Sequence, residues 1–380
     1  MTRKRLPSKG WSRRRFLKSA AAAGVLGSTL SARHAFKGFA QSDMPAELLD
    51  AVAQEGGRLN VFNWSFYIAD NTVPDFEAEF GIEVVYDLYE SNDEMLARVQ
   101  AAPGQFDVAV PTQDTLIEMR ELDLLEPLNH AWLPNMSNLG AEFINPVYDP
   151  GNQFSLAYQW GTTGYGLNET FAGEDARRQS WEILFRGQEY SGKMTMLDES
   201  AETIAEALKF AGFSMNSSDP AELEQARQLL LAQKPLLQAY ISGPVRDLLG
   251  SEDVWIANLW SGDVLFVQAE LNENISYVLP NEGAELWTDN LVIPRGAPHP
   301  ATAHLWLNYI HRAQVQADIT NYVYYATPNQ AAIDQGLLDE ELVGDPNIFP
   351  SDEVRARLEI IAPATGAARE IRDSIWEELK

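Results

Sequence analysis

Small groups of aromatic and acidic residues recur along this chain, each just after a segment with strand character. Trp64, Phe66 and Tyr67, with Ser65 between, follow RLNVFN; Thr112 and Asp114 follow FDVAVP; Asp198, Glu199 and Glu202 follow GKMTML. Trp260 and Asp263 follow VWIANL, and Trp287 and Asp289 open WTDNLVIP. Lys, Arg and His are absent from these positions. Aromatic faces attract ammonium groups by about 0.5–2 kcal/mol per contact. Carboxylates accept charge-assisted hydrogen bonds from them, and methylene stems pack on flat rings. Together these types make a site for an organic cation.

Each residue also has a plainer reading. Trp64 after a strand suits a core. Glu199 and Glu202 suit the first turn of a helix, where acids meet the positive dipole end. Asp263 behind Gly262 suits a turn and helix cap, as do Asp114 and Asp198. Asp289 is different: it interrupts an apolar strand pattern, where an unpaired acid is costly, so ligand contact is favoured. His304 and His311 could share a helix face, but nothing beside them completes a metal site. GTTGYG lacks the lysine of a phosphate loop. With no cysteine either, neither metal nor cofactor is expected.

The elements that carry these residues alternate. Strand patterns at 58–64, 82–89 and 106–111 are interleaved with helices at 73–80, which stops at Gly81, and at 92–100 and 114–122, with Asn92 as N-cap. After YQWGTTGYGLNE come the strand GKMTMLD, helices near 201–210 and 221–237, the strands VWIANLW and WTDNLVIP, and helices at 301–310 and 314–322. The alternation predicts α/β layers with largely parallel sheets. Ligands of such sheets bind beyond the carboxyl ends of strands, where the acids and aromatics fall.

Residues 1–40 read as an export signal. SRRRFLK precedes the short small-residue stretch SAAAAGVLGSTL, and the core resembles a twin-arginine signal, with cleavage expected after Ala40 and after Ala35 as the alternative. Export to a periplasm follows. These residues hold ten of the 28 Lys and Arg and no acid, so removing them leaves 18 basic against 55 acidic side chains, a charge of −37. Such a surface repels nucleic acid and anionic membranes and attracts cations.

The same residues resemble the periplasmic spermidine/putrescine-binding proteins of polyamine ABC transporters. The likeness runs from about residue 59 to the C-terminus, through VFNWSFYIADNTVPDFEAEFGIEVVYDLYESNDEM, FDVAVPT, YQWGTTGYGLNE, LWSGDV, PNEGAELWTDNLVIP and YYATPNQAA. It implies a two-lobed periplasmic-binding-protein fold of type II, each lobe a mostly parallel sheet flanked by helices. Lobe 1 would be 41–160 plus 290–340, and lobe 2 161–289 plus 341–380. It also implies a monomer that delivers a polyamine to an ABC permease with a cytoplasmic ATPase.

By position, Trp64 and Tyr67 resemble first-lobe aromatic contacts, with Ser65 beside them, and Thr112 stands where the family has serine. Glu199 and Glu202 resemble the second-lobe acids, Trp260 the aromatic stacked on the carbon chain, and Asp289 beside Trp287 the acid that grips an ammonium. Tyr325 falls near an aromatic position of putrescine-type members. Asp263 looks putrescine-type and Trp287 spermidine-like. Phe66 replaces an acid, and Asp114 replaces tyrosine or serine. Putrescine is the favoured ligand; spermidine, another diamine or a guanidino-amine is the alternative. Two other classes compete: a glycosidase using acids such as Glu202 and Asp263, and a ferric-ion receptor built on Tyr324 and Tyr325.

Overall fold

The computed structural model describes residues 44–380; the expected signal and its cleavage site lie outside them. Nine strands are present among the described residues: β1 Arg58–Trp64, β2 Glu83–Tyr89, β3 Val108–Ala109, β4 Ser155–Asn168, β5 Met194–Met196, β6 Leu237–Tyr240, β7 Ile256–Trp260, β8 Ile275–Val278 and β9 Leu286–Val292. They run in the order β2-β1-β3-β9-β4-β7-β5-β6, with β8 also on β4.

The 14-residue β4 is the spine of this arrangement. Its first half, Ser155 to Thr162, pairs with β9, and its second half, from Thr163, pairs with β7 and β8. Every residue of β4 is buried, so its sequence, SLAYQWGTTGYGLN, shows no alternation of apolar and polar residues. On one side β1 pairs in parallel with β2 and β3; on the other β5 pairs in parallel with β6 and β7. The antiparallel pairs all involve β4 or β9. The parallel expectation therefore holds away from these two strands, and the sheet as a whole is mixed.

Local sequence accounts for most boundaries. The helix Thr72–Phe80 buries Phe76 and Phe80 and stops at Gly81, whose φ of 66° is left-handed. The helix Asn92–Ala101 is capped by Ser91, not by the expected Asn92: Ser91 is extended and its Oγ accepts from the Glu94 N–H at 3.1 Å. The expected helix 221–237 is Pro220–Gln233 followed by a 3-10 turn at Lys234–Leu236, because Pro235 has no N–H to continue the α-helical ladder.

Around the second half of β4, Trp181, Met194, Met196, Ile204 and Leu208 form a core on which the C-terminal helix Gly366–Leu379 lays Ala368, Ile375 and Leu379. No helix among the described residues is long and apolar enough to cross a membrane.

Candidate ligand-binding cleft

All the predicted site residues except Asp114 and Glu199 line one cavity, joined by Phe66, Glu90, Ser242 and Gly243. It encloses about 530 Å³ between its walls, solvent-open space included.

The end of β1 supplies Trp64, whose indole Nε1 donates to the Val110 carbonyl at 2.9 Å and so fixes the ring plane. Trp260, the last residue of β7, meets Trp64 edge to face with centroids 5.6 Å apart. Tyr325 stands edge-on to Tyr67 at 5.1 Å and to Trp287 at 5.4 Å. Four of these rings are almost wholly buried, yet they face a cavity rather than a filled core. Their N–H and O–H groups are mostly spent on protein acceptors; the Trp287 Nε1–H is buried without a partner.

Asp289, in the middle of β9, is 6% exposed. Tyr67 donates to its Oδ2 at 2.7 Å and Thr112 donates to its Oδ1 at 2.9 Å. Thr112 is itself held by the Asn92 amide at 2.9 Å. Burial pushes the Asp289 carboxyl up to about 7, despite these two hydroxyls, which favour its charged form. Glu202 accepts from Thr163 at 2.6 Å and from the Trp260 indole at 3.1 Å, and burial raises its pKa as well. Asp289 is buried and Glu202 half-buried, and hydroxyls and an indole dipole support their charge without a full countercharge. A bound cation would supply the remainder.

Asp263 differs from the reading of it as a free ammonium acceptor. It lies in the first turn of the helix Ser261–Phe266, and the Arg246 guanidinium sits 3.4 Å from its Oδ1. Burial raises its pKa and Arg246 opposes that rise. Arg246 is held between two rings, 3.7 Å from the Phe266 centroid and 4.6 Å from that of Phe66. A cation thus stands against two residues of the cavity wall, Asp263 and Phe66, without lining the cavity itself. Gly262 does more than permit a turn: a Cβ there would lie 2.6 Å from the Tyr325 ring, so a glycine is what lets that tyrosine approach.

Asp114 and Glu199 are separated from the first cavity. They line an adjoining acidic one of about 890 Å³, solvent-open space included, with Glu285, Arg369 and Arg372. Thr112 and Glu202 line both. Burial brings Asp114 to about 6 and holds Glu199 well above the ordinary carboxyl range. Glu285 is raised in the same direction, by burial and then by the Glu202 charge. Glu199 Oε1 and Glu285 Oε2 have no hydrogen-bond donor.

Sequence reasoning missed Glu90, Arg246 and Glu285. Glu90 follows β2 directly, so the strand-end rule that selected the other residues applied to it too. Arg246 lies on the short helix Val245–Gly250, and no local pattern ties it to Asp263, 17 residues later. The neighbouring tyrosines diverge: Tyr325 faces the cleft, whereas Tyr324, left-handed at φ 67°, directs its hydroxyl to Glu270 at 3.3 Å. His304 accepts from the Asn129 N–H at 2.9 Å, and His311 bonds backbone carbonyls. No cluster of three potential metal ligands occurs among the described residues.

Residues 71–350 match the family model of bacterial extracellular solute-binding proteins. A putrescine/cadaverine-binding protein of Pseudomonas aeruginosa is 31% identical over 340 residues, covering 87% of this chain and 95% of that protein. The spermidine/putrescine-binding periplasmic protein of Escherichia coli is 31% identical over 331 residues, with 87% and 93% covered. Among solved structures, a putative spermidine/putrescine ABC transporter protein from Listeria monocytogenes superposes with a TM-score of 0.80 at 30% identity, covering 85% of this chain and 99% of that one.

Proposed function

Because the chain belongs to the bacterial extracellular solute-binding proteins, we propose that it captures a polyamine, putrescine in preference to spermidine, and hands it to an ABC permease. The observation that carries this reading is the Asp289 carboxylate. It is buried, held by two hydroxyls and enclosed by the indoles and phenols of the cleft. An ammonium there restores the missing countercharge, and the rings cover the methylenes between amines. The relatives named for putrescine support the same ligand.

In this reading residues 41–160 with 290–340 form one jaw, and 161–289 with 341–380 the other. The jaws close on the ligand by hinge motion, and the closed monomer docks on the permease. Export runs through the twin-arginine core of residues 1–40 to the periplasm, where N-terminal sequencing of the mature protein would read Gln41 first.

Titration calorimetry with putrescine, cadaverine, spermidine, spermine and agmatine tests the reading. Micromolar or tighter binding, led by putrescine, is expected. No such binding to any of the five would refute it.

A further inference from the structure

Glu202 lines both cavities, whereas Glu285, the residue before β9, lines the adjoining one and not the cleft. Glu285 is 2% exposed. Its Oε1 accepts from the Gln113 amide at 3.3 Å. The Gln113 side-chain carbonyl accepts from the Thr288 N–H at 2.7 Å, which fixes the end of the amide that faces the acid. Glu285 Oε2 is buried without a donor. The Glu202 carboxyl lies within hydrogen-bonding reach of the Glu285 carboxyl. Two carboxylates cannot meet in this way, so one of them carries a proton and donates to the other. Glu202 already accepts from Thr163 and Trp260, which favours its charged form, while Glu285 has only the amide. The proton therefore sits on Glu285. The cations nearby are committed elsewhere. Arg369 pairs with Glu118 at 2.5 Å, Lys209 pairs with Glu359 at 2.7 Å, and Arg372 donates to the Met215 and Ser217 carbonyls. The remaining charged groups of that cavity, Asp93, Asp114, Glu199 and Asp373, are all acids.

We propose that Glu285 is a positioning residue of the cleft, whose carboxyl shares one proton with that of Glu202 until an ammonium of the ligand displaces it. The proposal rests on the polyamine reading and deepens it. With no cation in the cleft, the shared proton offsets part of the Glu202 charge, and the Glu285 hydroxyl orients the carboxylate that faces the ligand. An ammonium beside Glu202 supplies that charge instead. The carboxyl O–H bond then breaks and the proton passes to solvent, while the ammonium keeps its own hydrogens. Binding is thus an exchange of proton for organic cation. A residue that lines no part of the cleft sets how affinity varies with pH.

The experiment is titration calorimetry with putrescine at several pH values between about 5.5 and 8, in buffers of different ionisation heat. It compares the full mature protein with Glu285→Gln, and a melting curve checks that the variant folds. Glutamine keeps the shape and a neutral donor but has no proton to give up. At the acid end the variant should bind within about threefold of the parent, because both present Glu202 with a neutral donor. One proton released per ligand is worth about tenfold in affinity per pH unit, so near pH 8 the parent should bind about ten- to a hundredfold tighter than the variant. The variant should also release fewer protons on binding. Parallel pH profiles with equal proton counts would overturn the exchange, and so would a loss of the same size at every pH, which a merely structural role would give. Should the variant not fold, the parent alone decides: near pH 8, above the Asp289 titration, it should still release protons, and none released would overturn the proposal. Failure of the parent to bind any polyamine would instead remove the reading on which the proposal rests.

Discussion

Asp289 shows how a single side chain couples ligand, proton and stability. In the ligand-free protein it titrates near 7, against an ordinary value of 3.8. Between those values the folded form keeps a proton that the unfolded chain has released. The group therefore lowers stability increasingly as pH rises from about 4 to 7. Asp114, at about 6, and the raised Glu199 and Glu285 act in the same direction. An ammonium on Asp289 removes its share of that cost. The melting-temperature rise on saturating with putrescine should then be larger at pH 8 than at pH 5, as scanning calorimetry would show. Binding near pH 6.5 should release protons, seen as a dependence of the apparent enthalpy on the buffer's ionisation heat. An unchanged shift and no proton release would contradict the assignment. Asp289→Asn keeps the shape but removes the charge, and should weaken putrescine about a hundredfold by titration calorimetry. Asp263→Ser is a different case, since it leaves Arg246 buried without its carboxylate. It should weaken every polyamine through the exposed repulsion of that guanidinium, and a loss confined to diamines would contradict this.

At the scale of elements, the alternating strands and helices were legible because their periods and stop signals are local. Gly81 ends a helix through its own φ, and Pro235 ends another through its missing N–H. The long strand β4 was less legible, since complete burial erases the alternation that marks a strand. The cleft was legible in part for the same reason. Residues at strand ends can be listed from the sequence, but which cavity they enter depends on how the helices behind them pack. Asp114 sits in the first turn of one helix and Glu199 at the N-cap of another, both facing the neighbouring acidic cavity, and Arg246 reaches Asp263 behind the cleft wall from a helix that no strand-end rule samples. The turn at the start of the helix Ser261–Phe266 is the element most sensitive to change. Gly262→Ala puts a methyl group into the Tyr325 ring, and overpacking of this kind costs about 1–3 kcal/mol. Chemical denaturation should show a stability loss of that size, and calorimetry a weaker putrescine affinity as Tyr325 is displaced. Parent-like values in both would show that the turn can yield.

For the whole molecule, the lopsided charge is the dominant property. The sequence carries −27 in full, and the ten basic residues of its first 40 are those that export would remove. A cation approaching this surface is drawn in from well beyond contact distance, and salt screens that pull with a Debye length of about 10 Å at 0.1 M. Putrescine affinity should therefore fall when sodium chloride is raised from 20 to 500 mM, and the fall should be smaller for N-acetylputrescine, which carries half the charge. Equal salt dependence for the two would place the attraction in neutral contacts instead. The meeting of Trp64 and Trp260 has one more consequence. Their rings come from opposite sides of β4 in the strand order, one on β1 and one on β7, and stand edge to face at 5.6 Å. Two chromophores so close share their excited states, and any hinge opening that parts them uncouples those states. If the jaws close on the ligand as proposed, the pair is a built-in optical gauge of that closure, readable in near-ultraviolet circular dichroism without a label.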